Sequence, residues 1–128
     1  MGNGTPLGRV RGLGSAKSGT HHWWHHRLTA TANIGLTLWL MFSVARMPGY
    51  DYAAVRLWLQ SAWVAIPMIL LVASVFYHFR LGLQTVIEDY QHDETRVVWM
   101  IILNLFTVAT TGIALFAILK VAFTGAPA

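Results

Sequence analysis

The sequence predicts an all-α integral membrane protein with three transmembrane helices. Of its 128 residues, 55% are hydrophobic and only 11% are charged, which is too apolar for an ordinary soluble domain. Three long stretches are nearly free of charge, and each could cross the ~30 Å hydrocarbon core of a bilayer, which needs about 20 helical residues. Because a spanning segment must satisfy its own backbone polar groups, these stretches are expected to be helices.

We expect the helices to span about residues 28–46, 57–87 and 97–123. They form an anchor domain of residues 28–123, which follows a cytoplasmic or interfacial segment of residues 1–27. The first connection contains a Pro48-Gly49 turn, and the second helix is expected to begin near Ala53 with an interfacial turn. Residues 88–96 form a short polar loop before the third helix.

The positive charges indicate how the chain lies in the membrane. The net charge is +4, but the basic residues are scattered around apolar spans, so nucleic acid is not an expected partner. Six of the nine Lys and Arg residues fall on the side of the N-terminus, which the positive-inside rule makes cytoplasmic. No signal-peptide core precedes the first span. The bacterial inner membrane is the favoured location, and a transit peptide to the mitochondrial inner membrane is the alternative.

The residue inventory restricts the chemistry. There is no cysteine, so a metal would need histidine or carboxylate ligands. No Gly-rich flavin motif occurs, and the soluble part is too small for a cofactor domain. We therefore expect no catalytic residue and no catalytic activity in the isolated chain.

His78 is the most informative residue, because an ionisable side chain inside a span is a functional candidate by default. At 100° per residue it lies on a small, polar stripe of the second helix, with Gly82 one turn beyond. The stripe consists of Ser74, His78, Thr85 and Asp89. Two interpretations are open: His78 hydrogen-bonds a neighbouring helix, or its imidazole is an axial ligand of haem iron.

The segment from His78 to Tyr90, HFRLGLQTVIEDY, resembles the second-helix motif of the small membrane-anchor subunit of succinate dehydrogenase, respiratory complex II. The motif is a histidine followed eleven residues later by Asp-Tyr, and the glycine four positions after the histidine also matches. Residues 14–20 leading into His22-Trp23-Trp24, and Arg27 to Ala30, resemble alphaproteobacterial members of the family. The resemblance covers nearly the whole chain.

This resemblance implies that His78 is the haem b ligand contributed by this subunit. It implies that Tyr90 hydrogen-bonds a ubiquinone carbonyl, with Asp89 as the adjacent acid. Arg27 would lie near the haem propionates and the quinone pocket, although anchoring of the helix at the cytoplasmic face explains it equally well. Twelve helical residues separate His78 from Tyr90 by about 18 Å along the axis.

The resemblance also implies partners. A flavoprotein oxidises succinate, an iron-sulfur subunit passes the electrons on, and a second anchor subunit, a cytochrome b, completes the helical bundle and supplies the other haem ligand. The function expected is that of a membrane anchor in succinate:quinone oxidoreductase that binds haem b and helps to build the ubiquinone site. The alternatives are a haem-free structural anchor and a stand-alone dimeric b-type cytochrome.

Two further patterns have ordinary explanations. The box His21 to His26 pairs histidines at a spacing that suits zinc, but Trp23 and Trp24 within it favour the membrane interface or a docking surface. Polar residues recur about every four positions in the first and third spans, and are expected to be packing stripes. These residues are Thr29, Asn33 and Thr37, and Asn104, Thr107 and Thr111.

Overall fold

The computed structural model describes residues 5–11 and 19–124. In chain order the helices are α1 (Pro6–Arg11), α2 (Gly19–Ala45), α3 (Tyr52–Gln60), α4 (Ala62–Tyr90) and α5 (Asp93–Phe123). The described ranges contain no strand, and α2, α4 and α5 are long and apolar enough to cross a membrane. The prediction of an all-α protein with three transmembrane helices is therefore confirmed.

Helix α4 is the centre of the bundle. Both α2 and α5 pack against it, whereas α2 and α5 do not pack against each other. In the described part of the chain, the few buried side chains lie on α4 and α5: Val64, Ala65, Leu71, Leu81, Leu103 and Thr107. Large apolar side chains cover most of the outer surface. Such a surface is suited to lipid or to other apolar helices, because lipid tails, unlike water, do not favour the burial of apolar side chains.

The short helix α3 is separate from α4. Asp51 caps it, its Oδ2 accepting a hydrogen bond from the Ala54 backbone N–H at 3.4 Å. The chain then breaks at Ser61, whose backbone is extended (φ −70°, ψ 127°). The interfacial start expected near Ala53 is therefore a helix of its own, and α4 begins only at Ala62.

Side-chain hydrogen bonds fasten α3 to the ends of the two outer helices. Trp58 Nε1 donates to Ser43 Oγ of α2 at 3.0 Å, and Gln60 Nε2 donates to the carbonyl oxygen of Thr124 at 2.8 Å. The helix is amphipathic, with apolar residues on one face. These features suit a helix that lies in the plane of the membrane interface.

At the opposite end the connection is shorter than the expected polar loop. Helix α4 continues to Tyr90 and α5 starts at Asp93, so only Gln91 and His92 lie between them. Glu88 and Arg96, placed in that loop by the sequence, approach each other from two helices with an N–O distance of 3.8 Å. Both side chains are substantially exposed, so the pair contributes little stability. The tight turn places the Asp89-Tyr90 pair at the very end of α4.

Candidate functional site

His78 lies on the part of α4 that faces α2. The side chain is half-buried, and its Nδ1 is 2.9 Å from the hydroxyl oxygen of Thr29. The ring of His26 packs against the ring of His78, with centroids 4.4 Å apart and planes inclined by 45°. The predicted packing stripe of α2 thus contacts the residue that the sequence singled out on α4.

Ser74, one turn before His78, faces the same part of α2. Its hydroxyl donates to the backbone carbonyl of Thr29 at 3.5 Å, so two residues of the predicted α4 stripe contact one residue of α2. Thr85, further along the stripe, donates to the carbonyl of Leu81 in its own helix. The stripe therefore serves partly as the α2–α4 interface.

One turn beyond His78, near the same face of α4, the helix leaves room for a flat group. A Cβ atom built on Gly82, one turn beyond, meets no atom within 4 Å. The one hydrogen bond to the His78 ring within the described residues uses Nδ1, so Nε2 remains available to a ligand. These features fit a macrocycle bound through a single axial histidine.

A large cavity lies elsewhere on α4. It has a volume of about 790 Å3 and opens between α2 and α5, where Leu70, Tyr77 and Arg80 contribute the α4 side. His78 does not line it. Its walls are almost wholly apolar, so we attribute this groove to an acyl chain or a packed helix and place no ligand of His78 there.

No second axial ligand is present near His78 in the described part of the chain. No group of three or more metal-ligating side chains occurs there, which also leaves the zinc interpretation of the histidine box without support. His26 is the nearest histidine, but its ring touches that of His78. A macrocycle does not fit between two rings in contact, so a second histidine would have to come from another chain.

Asp89 and Tyr90 form the exposed end of α4. Tyr90 is 77% exposed and Asp89 is also exposed. Helix α4 runs without interruption from His78 to Tyr90, so the spacing of about 18 Å follows from helical geometry. Among the described residues neither side chain has a hydrogen bond or ion pair, so both are available to a ligand or a partner.

Arg27 lies near the start of α2, beside the histidine box. Its guanidinium carbon is 4.9 Å from the centroid of the Trp23 ring, a cation–π contact. Both residues line a small cavity of about 270 Å3 together with His22, His26 and Thr85. Arg27 is exposed and makes no ion pair in the described part of the chain, so its charge is available to an anion.

The histidine box is part of α2 and is not one functional unit. His26 contacts His78, while His25 packs edge-on against Tyr77 with centroids 6.0 Å apart. The Nε2 atom of His22 is buried with no hydrogen-bond partner in the described residues. His21 is exposed. The box thus contributes two aromatic contacts to the α2–α4 interface, those of His25 and His26.

The sequence did not predict two contacts between helices, Thr29 with His78 and Asn104 with Arg80. Thr29 and Asn104 were assigned to packing stripes, yet Thr29 contacts His78, and Asn104 accepts a hydrogen bond from Arg80 Nε at 2.5 Å. The available signal for the second was Arg80 itself, a charged residue inside an apolar span that needs a polar partner. The available signal for Thr29 was its place in the first half of α2, which an antiparallel packing brings beside the second half of α4, where His78 lies.

The fold and the site define a class of protein: a multi-pass membrane protein with a half-buried histidine, His78, at the contact between two of its long helices. Residues 1–115 match the family described as succinate dehydrogenase/fumarate reductase transmembrane subunit. The chain belongs to this family.

Curated relatives agree with this membership. The chain is 34% identical over 103 residues to the succinate dehydrogenase hydrophobic membrane anchor subunit of Rickettsia bellii, covering 80% of this chain and 82% of the relative. It is 31% identical over 116 residues to the protein of the same name from Paracoccus denitrificans, covering 91% and 90%. The relatives are mainly alphaproteobacterial, as expected. No solved structure matches the chain significantly.

Proposed function

We propose that this chain is the haem- and quinone-binding membrane anchor of a succinate:quinone oxidoreductase. One observation supports the proposal most strongly. His78 is held by α2 through Nδ1 and has open space at Gly82, while the same helix ends in an exposed Asp89-Tyr90 pair. Family membership supplies the context in which the two features belong to one function.

In this proposal Nε2 of His78 would be the ligand that this chain gives to the iron of haem b. The haem supplies a one-electron store between the iron-sulfur subunit and quinone. Because the His26 ring is in contact with the His78 ring and leaves no space for a macrocycle between them, the second histidine ligand would come from the second anchor subunit, a cytochrome b. The face of α4 beside Gly82 is then covered by that subunit and the macrocycle.

Tyr90 and Asp89 act on ubiquinone at the membrane surface. The phenol of Tyr90 donates a hydrogen bond to a quinone carbonyl, which stabilises negative charge as the quinone is reduced. Asp89, the neighbouring exposed carboxylate, would hold a proton for the reduced quinone. Arg27 offers its guanidinium to a propionate, and a lipid phosphate is the equally good alternative for this exposed cation.

The length of α4 agrees with this arrangement. Its 29 residues extend about 42 Å, which exceeds the ~30 Å hydrocarbon core. With the α3 end at the far interface, the Tyr90 end projects beyond the core. A cytoplasmic N-terminus puts this end on the cytoplasmic side, where the iron-sulfur and flavoprotein subunits dock. We place the complex in the bacterial inner membrane, with residues 28–123 as its anchor domain. Residues 1–27, of which 1–4 and 12–18 lie outside the described residues, are expected at the cytoplasmic face.

The haem assignment is tested with His78→Ala in the purified complex. The reduced-minus-oxidised spectrum is expected to lose its b-type signal, while His92→Ala, a histidine in the exposed α4–α5 turn, keeps it. Normal haem in the His78 variant contradicts ligation and leaves a haem-free anchor. A haem protein that purifies without any flavoprotein contradicts the complex II assignment and favours a dimeric cytochrome.

The quinone assignment is tested with Tyr90→Phe. Succinate:ubiquinone activity is expected to fall on the order of a hundredfold, as when one preorganised donor is removed. Succinate oxidation with a soluble artificial acceptor should be unchanged, because that reaction avoids the membrane site. Tyr52→Phe, at the opposite end of the bundle, is the matched control. Equal quinone reduction in both variants contradicts a role for Tyr90.

A further inference from the structure

We propose that Thr29 is a positioning residue that fixes the tautomer and the orientation of the His78 ring. The inference rests on the proposed function, because it assumes that His78 is an axial ligand. It goes further by assigning which ring nitrogen binds iron and which group of this chain controls that choice.

The hydroxyl group of Thr29 has three possible partners but one hydrogen. Its oxygen is 2.8 Å from the carbonyl oxygen of His25, 3.1 Å from that of His26 and 2.9 Å from Nδ1 of His78. Threonine in a helix commonly donates to the carbonyl three or four residues earlier. With its hydrogen directed to these carbonyls, the hydroxyl faces His78 with a lone pair.

The tautomer of His78 follows from this count of hydrogens. A lone pair on Thr29 requires a donor at 2.9 Å, so Nδ1 of His78 carries the hydrogen. Neutral imidazole has only one N–H, so Nε2 is the bare nitrogen. A metal-binding histidine is ordinarily fixed in this way, by donating its other N–H to an acceptor.

The contacts also limit rotation of the ring. Ser74, one turn before His78, donates to the backbone carbonyl of Thr29, which ties the α2 backbone to α4 at the level of the hydroxyl. The His26 ring packs against the His78 ring. The ring is therefore fixed by a hydrogen bond at Nδ1 and by an aromatic contact, both from α2.

The hydrogen bond between Thr29 and His78 is predicted to lower the reduction potential of the haem. A hydroxyl that donates to a carbonyl is a stronger acceptor, because hydrogen bonds in a chain polarise one another. When the Thr29 oxygen accepts a hydrogen bond from Nδ1–H, the imidazole becomes a better electron donor to the iron. Such a ligand favours ferric over ferrous iron, so loss of the hydroxyl should raise the reduction potential of the haem.

The experiment uses the whole purified complex with Thr29→Val, which has nearly the same shape and no hydroxyl. We expect the ferric-to-ferrous ratio at a fixed applied potential to fall tenfold, which corresponds to a rise in reduction potential of about 59 mV for one electron. The low-spin electron paramagnetic resonance g-values should also change. Thr31→Val is the matched control, because within the described ranges the Thr31 hydroxyl donates only to the Arg27 carbonyl of its own helix. Thr29→Ser should restore wild-type values.

If Thr29→Val does not assemble, Thr29→Ser and Thr29→Ala are compared, since both lack the methyl group and differ only in the hydroxyl. A shifted potential in the alanine variant alone supports the inference. Equal potentials and equal g-values in the two variants overturn it, while His78→Ala still shows whether His78 binds haem. Full haem in His78→Ala overturns both the ligation and the role of Thr29.

Discussion

Replacing Asn104 by leucine is expected to weaken the contact between α4 and α5. Asn104 Oδ1 accepts a hydrogen bond from Nε of Arg80 at 2.5 Å, and both side chains are half-buried. Leucine has the same branched outline as asparagine, with two methyl groups in place of the amide, and so removes the acceptor. The guanidinium then lies in an apolar span without its partner, so the variant should lose more stability than an ordinary polar contact would explain.

The expected magnitude follows from where Arg80 lies. A hydrogen bond to a charged group contributes about 1.5 to 3 kcal/mol in soluble proteins, whereas side-chain hydrogen bonds between transmembrane helices average about 0.6 kcal/mol. Arg80 is about 27 Å along α4 from Ala62, near the edge of a ~30 Å core, so it can extend toward the headgroups and recover part of the loss. We expect Asn104→Leu to cost about 1 to 2 kcal/mol.

The measurement is a double-mutant cycle in mixed micelles, with unfolding by SDS followed through tryptophan fluorescence. Arg80→Met should cost much less in the Asn104→Leu background than in the wild type, because the contact has already been lost. Thr110→Val is the control, since this hydroxyl donates within its own helix. A coupling free energy below about 0.3 kcal/mol would refute the argument.

Three other perturbations test separate features. Gly82→Leu should leave the unfolding free energy of the chain within about 0.5 kcal/mol of wild type. It should lower the haem content of the complex, because the leucine side chain enters the open space near His78. Unchanged haem content in the pyridine haemochrome assay contradicts this. Trp58→Phe removes the hydrogen bond to Ser43 and should cost about 1 kcal/mol, with faster amide hydrogen exchange in α3; unchanged exchange would show that α3 is held by its other contacts. Because the chain has no cysteine, Asp51→Cys should react with an impermeant maleimide on intact cells, and His92→Cys only after permeabilisation. The reverse pattern contradicts a cytoplasmic N-terminus.

Much of the fold could be predicted from the sequence, because length and apolarity are local properties of a helix that crosses a bilayer. The separation of His78 from Tyr90 was equally predictable, since both residues lie on one continuous helix. The break at Ser61 was harder to predict. The residues on either side of it are compatible with one helix, and the separate α3 is stabilised by hydrogen bonds to Ser43 and Thr124, which are distant in sequence.

The sequence by itself determined the fold class, the three long helices and the candidate residues His78, Asp89 and Tyr90. Only the tertiary structure decided that Thr29 contacts Nδ1 of His78 and that Asn104 contacts Arg80. The physical reason is that both contacts depend on how one helix is rotated against another. Such rotation depends on packing over the whole interface, whereas a polar stripe looks the same in sequence whether it meets a neutral partner or a functional one.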